Sequence, residues 1–387
     1  MTDKKPPGLK PNDKIQLIYE ADSFYPTMLD LIRGAKESIH LQTYIFHDDS
    51  IGRQIIEALK SAAARGVKVY LLVDRLGSRA LIHKVEAEFK TAGVHFRFFG
   101  KFRWLKFFKK EYYIGRRLHH KVLLVDQTKA LISGINIGGD FMGWFDFAVY
   151  LEGACCHDVY LVCLRYWPYR IRARLKKEAE IFAPTGGIPA RIINNDNLLR
   201  VQLINRSYRS YLKTARKDIF IISSYFFPGS LFIKKLASLQ KSGVRVRILC
   251  PHFSDVPLIQ KAAHHYYAAL IKRGVEIYEW LPGVLHGKAA VIDGKILSLG
   301  SYNLNYTSHF TNIELNLEIH SESLAADFTQ IVEKMMAGNV KKVAAQDLNQ
   351  SLFNRINCFL AYHAVRLISF LHVFLSNHNK RMSLDEI

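Results

Sequence analysis

The sequence predicts an α/β fold made of two related halves that share one active site between them. Short apolar segments typical of strands alternate with amphipathic helices, for example at residues 50–66 and 229–243, which is the pattern of α/β sandwiches. The halves also resemble each other, since KESIHLQTYIF at 36–46 parallels KDIFIISSYFF at 217–227. A chain of 387 residues with 49% hydrophobic content has room for two such units.

The most specific feature is a motif that occurs twice with the same spacing. A histidine is followed by a lysine two residues later and by an aspartate five residues after the lysine. Six residues then separate the aspartate from a pair of small residues, and an asparagine follows. The first copy consists of His119, Lys121, Asp126, Ser133, Gly134 and Asn136, and the second of His286, Lys288, Asp293, Gly300, Ser301 and Asn303. Because both copies are complete, the sequence predicts one active site assembled from the two halves.

Each motif begins on a strand and reaches a turn. The segments LHHKVLLVD and LHGKAAVID are apolar and β-rich, and residues i and i+2 of a strand point to the same face. Each histidine therefore projects together with its lysine. Asp126 and Asp293 have the opposite parity and lie where the strands turn back, Asp293 before a glycine as in tight hairpins. We expect these two aspartates to be mainly architectural.

Imidazole, ammonium and amide groups, each present twice, suit a tetrahedral anion. The lysines, with Asn136, Ser301 and Asn303 as phosphate-binding or supporting residues, would stabilise the transition state electrostatically. One neutral histidine would attack phosphorus while the other, protonated, protonates the leaving oxygen. The intermediate would be a phosphohistidine that water or an alcohol then attacks. The cationic side chains take over the role of a metal, so the sequence predicts neither a metal nor another cofactor.

These motifs resemble those of the phospholipase D superfamily, and the chain is most similar to the bacterial cardiolipin synthases. The likeness runs from about Ile15 to His320 and includes SGINIGGDF, ISSYFFPG and LHGKAAVIDGKILSLGSYNLN. It departs from the family pattern at Ser133, where glycine is frequent. The resemblance implies two fused phospholipase D-type α/β sandwich halves with a shared active site at their interface.

The resemblance also implies partners and roles for the two histidines. It makes Glu314 the hydrogen-bond partner of His286, with Asp146 as the counterpart for His119. Each carboxylate would fix the tautomer of its imidazole and raise its basicity. The first histidine of the superfamily is commonly the nucleophile, so we assign His119 to the attack and His286 to acid and base catalysis.

The composition indicates a protein that visits a membrane surface. The net charge of +20 and the pI of about 9.6 imply a polyanionic partner, for which anionic phospholipid and nucleic acid both qualify. The polar segment MTDKKPPGLKPNDK has the features of neither a signal peptide nor a spanning helix. Five cysteines without metal-ligand spacing are typical of reduced thiols in a cytoplasmic protein. We therefore expect peripheral association with the cytoplasmic face of the cell membrane.

A basic and aromatic insert precedes the first motif. Gly93 and Gly274 are 181 residues apart in the repeat, whereas the motif histidines are 167 apart, so the first half carries 14 additional residues. The excess falls on 101–117, which has seven Lys or Arg residues, six aromatic residues and one acid. Such a segment suits anionic lipid head groups. Single-stranded nucleic acid and an ordinary solvated loop are the alternatives.

The C-terminal tail is the remaining candidate membrane element. Apolar residues recur on one helical face between Leu352 and Phe374. Arg355, Arg366 and two histidines interrupt them, which argues against a transmembrane span. An interfacial helix and a helix packed on the domain or on a partner both remain open.

These features divide the chain into five parts. They are a polar N-terminal tail at 1–15, a first half at 16–153, a connecting segment at 154–196, a second half at 197–338 and an amphipathic helical tail at 339–387.

The expected activity is phosphatidyl transfer. One phosphatidylglycerol would give its phosphatidyl group to the enzyme and release glycerol, and a second would accept the group to form cardiolipin. The alternatives are a phospholipase D hydrolase, which uses water, and a transphosphatidylase with another alcohol acceptor. A nuclease is more distant, because the aromatic insert and the apolar tail weigh against nucleic acid. The sequence leaves the oligomeric state open.

Overall fold

The computed structural model describes residues 7–81, 85–100, 116–180, 186–348 and 352–378. Within these ranges the chain forms two sheets flanked by helices, so the predicted α/β class is confirmed. The predicted insert at 101–117 lies outside the described residues except for its last two positions.

The first half is built on a mixed sheet. Its described strands are β1 (Asn12–Glu20), β2 (Ser38–Thr43), β3 (Lys68–Asp74), β4 (His95–Phe99), β5 (Lys121–Val125), β6 (Lys129–Ser133) and β7 (Phe145–Gly153). Their order is β1-β7-β6-β5-β2-β3-β4. The neighbours β2, β3 and β4 are parallel and the other neighbours are antiparallel. The sheet therefore places the start of β5, where the first motif begins, in its middle.

In the described part of the first half, three helices cover the outer face of this sheet. They are α1 (Ala21–Gly34), α2 (Ser50–Ala64) and α3 (Glu86–Thr91). The carboxylate of Asp49 caps α2 by accepting the amide N–H of Gly52 at 2.9 Å. Ile55, Ile56 and Leu59 recur at helical spacing and are fully buried against the sheet. Amphipathic spacing and a side-chain cap thus position α2.

Two helices follow the first sheet, α4 (Cys155–Leu164) and α5 (Tyr169–Lys177). Most of α4 is buried, including Cys155, Cys156 and Cys163. It packs between the two halves, which explains why this short helix is apolar around its circumference.

The second half is built on a sheet of the same plan. Its described strands are β8 (Ala190–Asp196), β9 (Val201–Gln202), β10 (Asp218–Ser223), β11 (Arg245–Phe253), β12 (Glu276–Val284), β13 (Lys288–Ile292), β14 (Ile296–Gly300), β15 (Glu314–His320) and β16 (Val340–Lys342). Their order is β16-β12-β11-β10-β13-β14-β15-β8-β9. Antiparallel pairing of β8 with β15 repeats that of β1 with β7. The predicted connecting segment at 154–196 includes β8, whereas the structure makes β8 a strand of the second sheet.

The helices of the second half are α6 (Leu203–Thr214), α7 (Ser230–Lys241), α8 (Pro257–Ile271), α9 (Tyr306–Phe310), α10 (Glu322–Met336) and α11 (Leu352–His378). Short 3₁₀ turns occur at Arg79–Leu81, Gly139–Phe141 and Ala345–Leu348. The inner faces of both sheets meet in one apolar core with α4 and α10. Phe147 of β7, for example, packs edge-on to Phe328 of α10 at a centroid distance of 5.0 Å. This shared core holds the two halves together.

Helix α11 packs on α8 with only one face. Ala361, Tyr362 and Val365 are buried, and Tyr362 stacks on His265 of α8 with ring centroids 4.5 Å apart. Large apolar side chains on the rest of the helix are exposed, namely Phe353, Ile356, Phe359, Leu360, Leu367, Ile368, Phe370, Leu371 and Phe374. By length and composition, Phe353–Phe374 is the one helical stretch in the described ranges that could cross a membrane. The tail thus combines a packed face with an uncovered apolar face.

The two motif aspartates lie at the turns, as predicted. The carboxylate of Asp126 accepts the backbone N–H groups of residues 36–38 at 2.8–3.2 Å. That of Asp293 accepts the N–H groups of residues 216–218 at 2.7–3.1 Å. Both residues have a positive φ, 49° and 53° respectively, which aspartate tolerates better than most residues. Each aspartate therefore joins the turn after a motif strand to the segment that leads into the neighbouring strand.

We predict that Asp293→Asn destabilises the protein by about 1 kcal/mol near neutral pH, because a charged acceptor of amide groups is lost at a partly exposed site. Burial alone would raise the pKa of Asp293, but the three amide groups lower it below its usual value. The stabilisation is therefore present above the unfolded-state pKa and is lost as the pH falls through the lower folded-state pKa. Urea denaturation at several pH values should show the difference from wild type shrinking below about pH 4.

The exposed residue Asp30 of α1 provides the control, because Asp30→Asn should change stability little at any pH. A difference between Asp293→Asn and wild type that stays constant from neutral to acidic pH would contradict the role given to the carboxylate.

Candidate active site

Each motif histidine is tied by its backbone to the opposite half. The N–H groups of His119 and His120 both donate to the carbonyl oxygen of Ile313, at 2.9 and 3.0 Å. The N–H of Ile313 in turn donates to the carbonyl of Arg117 at 2.8 Å. Leu118 and Ile313 thereby form a short parallel bridge between the first motif and the start of β15.

The second motif makes the equivalent connection. The N–H groups of His286 and Gly287 donate to the carbonyl oxygen of Phe145, at 2.8 and 2.9 Å. Gly287 is required here, because a Cβ on it would lie 2.3 Å from the ring of Phe147. The two halves therefore exchange hydrogen bonds reciprocally at the ends of the motif strands.

The imidazoles take their carboxylate partners across the same boundary. His119 Nδ1 lies 2.9 Å from Glu314 Oε2, and His286 Nδ1 lies 2.6 Å from Asp146 Oδ2. The pairing expected from the resemblance, Glu314 with His286 and Asp146 with His119, is wrong. The backbone exchange explains the outcome, because Glu314 follows the residue that binds the His119 amide and Asp146 follows the residue that binds the His286 amide.

Glu314 is held by several donors besides His119. Ser301 Oγ donates to Oε2, and Ser308 Oγ and Asn312 Nδ2 donate to Oε1 at 2.7 and 3.1 Å. Burial alone would raise the pKa of Glu314, but the charge and hydrogen bonds of His119 and its other neighbours lower it. The side chain is therefore a fixed carboxylate, and Ser301 supports the site through it.

Asp146 is fixed in a different way. Its Oδ1 accepts the N–H of Phe147 at 2.7 Å, and it is packed against Gly134. A Cβ on residue 134 would lie only 2.3 Å from Asp146 Oδ1, so the glycine of the first motif makes room for the carboxylate. Ser133, the departure from the family pattern, donates instead to the carbonyl of Ile135 at 3.2 Å.

The two lysines are buried beside the histidines. Lys121 Nζ donates to the carbonyl of His119 at 2.7 Å, while Lys288 Nζ donates to the carbonyl of His286 and lies 3.8 Å from Asp146 Oδ2. Burial, followed by repulsion from Lys288, lowers the pKa of Lys121 to about 7, and burial lowers that of Lys288 to about 8. The free site therefore loses positive charge as the pH rises through this range, and a bound anion would favour the ammonium forms.

The histidine rings are neutral near pH 7. Burial lowers the pKa of His119, and burial together with the charge of Lys288 lowers that of His286 to about 4. Each Nδ1 faces a carboxylate, which assigns the proton to Nδ1 and the lone pair to Nε2. Among the described residues neither Nε2 has a hydrogen-bond partner. The rings are therefore oriented and free to react.

The motif asparagines lie beside the lysine-bearing strands. Asn136 Oδ1 accepts the N–H of Ile45 at 3.2 Å, which leaves its amide NH₂ for a ligand. Asn303 is buried, and its Oδ1 has no hydrogen-bond partner in the described part of the chain. A buried acceptor without a partner is expensive in a protein interior, so Asn303 Oδ1 is suited to accept a hydrogen bond from a bound molecule, and the NH₂ of the same side chain can donate to an anion.

Aromatic side chains line the site, and they are not among the site residues predicted from the sequence. Tyr44 lies 5.1 Å from the ring of His119, and the ammonium of Lys121 lies 5.6 Å from the Tyr44 centroid. Trp144 and Tyr225 lie 5.2 and 6.3 Å from the ring of His286. Tyr44 and Tyr225 occupy equivalent positions of the repeat, and that equivalence was the available signal.

The described residues also bear on metal binding. Within the described ranges, no three His, Cys, Asp or Glu side chains are grouped so that they would hold a metal ion. The positive charges available to a bound anion at this site are those of Lys121 and Lys288.

Comparisons with known proteins show what the chain is similar to. The family model for the cardiolipin synthase, PLD-like domain matches residues 28–142 and 208–336. The chain is 31% identical over 382 residues to cardiolipin synthase B of Escherichia coli (strain K12), covering 96% of this chain and 92% of that protein. It is 30% identical over 358 residues to a cardiolipin synthase of Clostridium perfringens (strain 13 / Type A), covering 88% and 74%. Its fold matches the phosphatidylserine synthase of Haemophilus influenzae Rd KW20, with a TM-score of 0.71 at 14% identity and coverage of 94% and 96%.

The crossed pairing predicts which histidine responds to each carboxylate. In Glu314→Gln the pKa of His119 should fall further, because the nearby negative charge that raises it is removed, while the pKa of His286 stays nearly constant. Asp146→Asn should instead lower the pKa of His286 and leave that of His119 nearly constant. NMR titration of the imidazole nitrogens in histidine-labelled protein measures both, with His119→Gln and His286→Gln to assign the signals. A shift confined to His286 in Glu314→Gln would refute the crossed pairs.

Proposed function

The chain belongs to the phospholipase D-like cardiolipin synthase family, and we propose that this phosphatidyltransferase makes cardiolipin from two phosphatidylglycerols with release of glycerol. The observation that carries the proposal is the pair of oriented histidines, His119 and His286, with a buried lysine beside each. The relatives named cardiolipin synthase support the choice of cardiolipin as the product.

In the first half-reaction, phosphate of the donor lipid binds between the lysines, Asn136 and Asn303. The negative phosphate favours protonation of His286 at Nε2. His119 Nε2 attacks phosphorus and forms the P–N bond, while the P–O bond to glycerol breaks and its oxygen takes the proton from His286. The products are a phosphatidyl-histidine at His119 and free glycerol.

In the second half-reaction, a hydroxyl of another phosphatidylglycerol enters. His286, now neutral, takes the hydroxyl proton as the oxygen attacks phosphorus, and the P–N bond to His119 breaks. Lys121 and Lys288 stabilise the charge on the non-bridging oxygens in both transition states. His119 is assigned as the nucleophile because its side chain is more exposed than that of His286, 12% against 7%.

Transfer rather than hydrolysis requires that an alcohol reaches the intermediate before water. Tyr44, Trp144 and Tyr225 pack around the two imidazoles. Apolar ring faces bind water poorly, so they favour a lipid hydroxyl delivered with its acyl chains over free water.

The lipid products test the proposal. Phosphatidylglycerol vesicles incubated with the protein and a chelator should yield cardiolipin and glycerol in equal amounts. His119→Ala and His286→Ala should each reduce the rate by about 10³-fold or more. His157→Ala, in a histidine of α4 that hydrogen-bonds the carbonyl of Glu180 away from the site, should retain the wild-type rate.

Two outcomes would contradict the proposal. Phosphatidic acid with glycerol, and no cardiolipin, would identify a hydrolase on the same fold. Transfer at the wild-type rate by either motif-histidine variant would rule out the two-histidine mechanism.

We further propose that the enzyme associates peripherally with the cytoplasmic face of the membrane through α11. The helix has 27 residues, about 40 Å in length, and its uncovered face is apolar over most of that length. Burial and the guanidinium of Arg117 lower the pKa of His372, which places the C-terminal part of α11 near the segment that leads into His119. A bilayer on the exposed face of α11 would therefore lie close to the site. The structure describes no disulfide among the five cysteines, which suits the cytoplasm.

Introducing negative charge on the exposed apolar face of α11 should weaken membrane binding. Phe353 and Phe370 are 71% and 64% exposed, and Phe353→Glu/Phe370→Glu removes apolar area that would otherwise enter the lipid. Co-sedimentation with phosphatidylglycerol vesicles should fall by about tenfold or more, while the thermal midpoint stays near that of wild type. Tyr169→Glu/Phe253→Glu, at similarly exposed positions outside the helix, is the matched control. Equal losses in both double variants would refute a specific role for α11.

A further inference from the structure

We propose that a second, non-catalytic lipid site lies beside the active site, in a cavity of about 540 Å³ on the outer face of the second half. We infer that the cavity takes an acyl chain of an anionic phospholipid whose phosphate lies at a basic rim. The volume is within the usual range for small-molecule sites. The inference goes beyond phosphatidyl transfer, since the lipid bound here would not be the one attacked by His119.

The walls of the cavity are apolar and come from three elements. Helix α6 supplies Tyr208 and Leu212, α7 supplies Leu231 and Phe232, and the segment that ends in α9 supplies Leu304 and Phe310. Leu231 is 79% exposed, so a large apolar side chain at the opening of the cavity is in contact with solvent. An alkyl chain is the ligand that such a lining desolvates best.

The cavity shares a wall with the active site. Tyr302 and Leu304 line it, and the phosphate-binding candidate Asn303 lies between them in sequence. This segment is fixed, since Tyr302 Oη donates to Asn205 Oδ1 at 3.0 Å and the carbonyl of Leu304 accepts the N–H of Phe227 at 2.7 Å. A lipid in the cavity would therefore lie next to the catalytic loop without entering the histidine pair.

The rim selects for a negative head group. Arg209 and Lys213 lie one turn apart on α6, and Lys235 lies opposite on α7. No carboxylate of the described chain forms an ion pair with any of the three. Three such cations around an apolar cavity are complementary to an anion that carries an alkyl chain.

The structure offers a variant that fills the cavity without straining the backbone. Gly229 lines it and has φ −64° and ψ 154°, which any residue can adopt. A Cβ on Gly229 would have Tyr306 Oη, at 3.8 Å, as its nearest neighbour in the described part of the chain, so the side chain of Gly229→Leu would occupy the cavity. Gly34→Leu is the matched control, because Gly34 is exposed, has no positive φ and has no atom within 4 Å of its Cβ.

The test uses the full chain and dodecyl phosphate below its micelle concentration. Calorimetry should show that wild type and Gly34→Leu bind it alike, that Gly229→Leu binds about tenfold more weakly or worse, and that Arg209→Glu/Lys235→Glu also binds more weakly. Photo-crosslinking with a diazirine-bearing alkyl phosphate should label α6 or α7 in wild type and lose that label in Gly229→Leu.

The outcomes distinguish this site from the proposed reaction. Unchanged binding by Gly229→Leu, labelling confined to the motif strands, or no binding by wild type would each overturn the cavity site. A protein that binds the probe in the cavity but makes no cardiolipin would overturn the reaction and leave the site standing.

Discussion

The active site depends on one reciprocal set of backbone hydrogen bonds between the halves. The carbonyl of Ile313 binds the amide of His119, and the carbonyl of Phe145 binds the amide of His286. Because the residue after each carbonyl is an acid, the same contact that joins the halves also brings a carboxylate to each imidazole. Orientation of the rings, their tautomers and their free Nε2 atoms follow from this contact, so neither half alone contains a complete site.

Burial explains why the site is suited to an anion. Lys121 and Lys288 are almost fully buried, and Asp146 and Glu314, two carboxylates that act on both lysines, already serve histidines. In a medium of low dielectric constant an ammonium group is poorly solvated, which lowers the pKa of both lysines, and repulsion from Lys288 lowers that of Lys121 further. A phosphodiester placed between them relieves both costs, and it is better bound as more negative charge develops in the transition state.

The sequence predicted most of what local pattern and repetition determine. Strand parity separated the paired His119 and Lys121 from Asp126, and the structure places the aspartate at a turn as expected. The carboxylate pairing was wrong because it depends on how the two sheets face each other across contacts 195 and 140 residues apart in sequence. No local periodicity encodes that arrangement. The surface on which α11 packs could not be predicted for the same reason. Amphipathic spacing shows that a helix has an apolar stripe, but it does not show what that stripe packs against.

The repeated motif does not make the two histidines equivalent. In the second copy Ser301 adds a donor to Glu314, whereas in the first copy Gly134 gives space to the shorter Asp146. Glu314 therefore keeps its charge through several hydrogen bonds, and its partner His119 is the more exposed ring. An oriented, accessible ring beside a fixed charge suits covalent attack. A more buried ring, whose pKa responds to a bound phosphate, suits proton transfer. The difference between Gly134 and Ser301, at equivalent positions of the two motif copies, thus gives the two imidazoles different surroundings, and the division of roles proposed for them rests on this asymmetry.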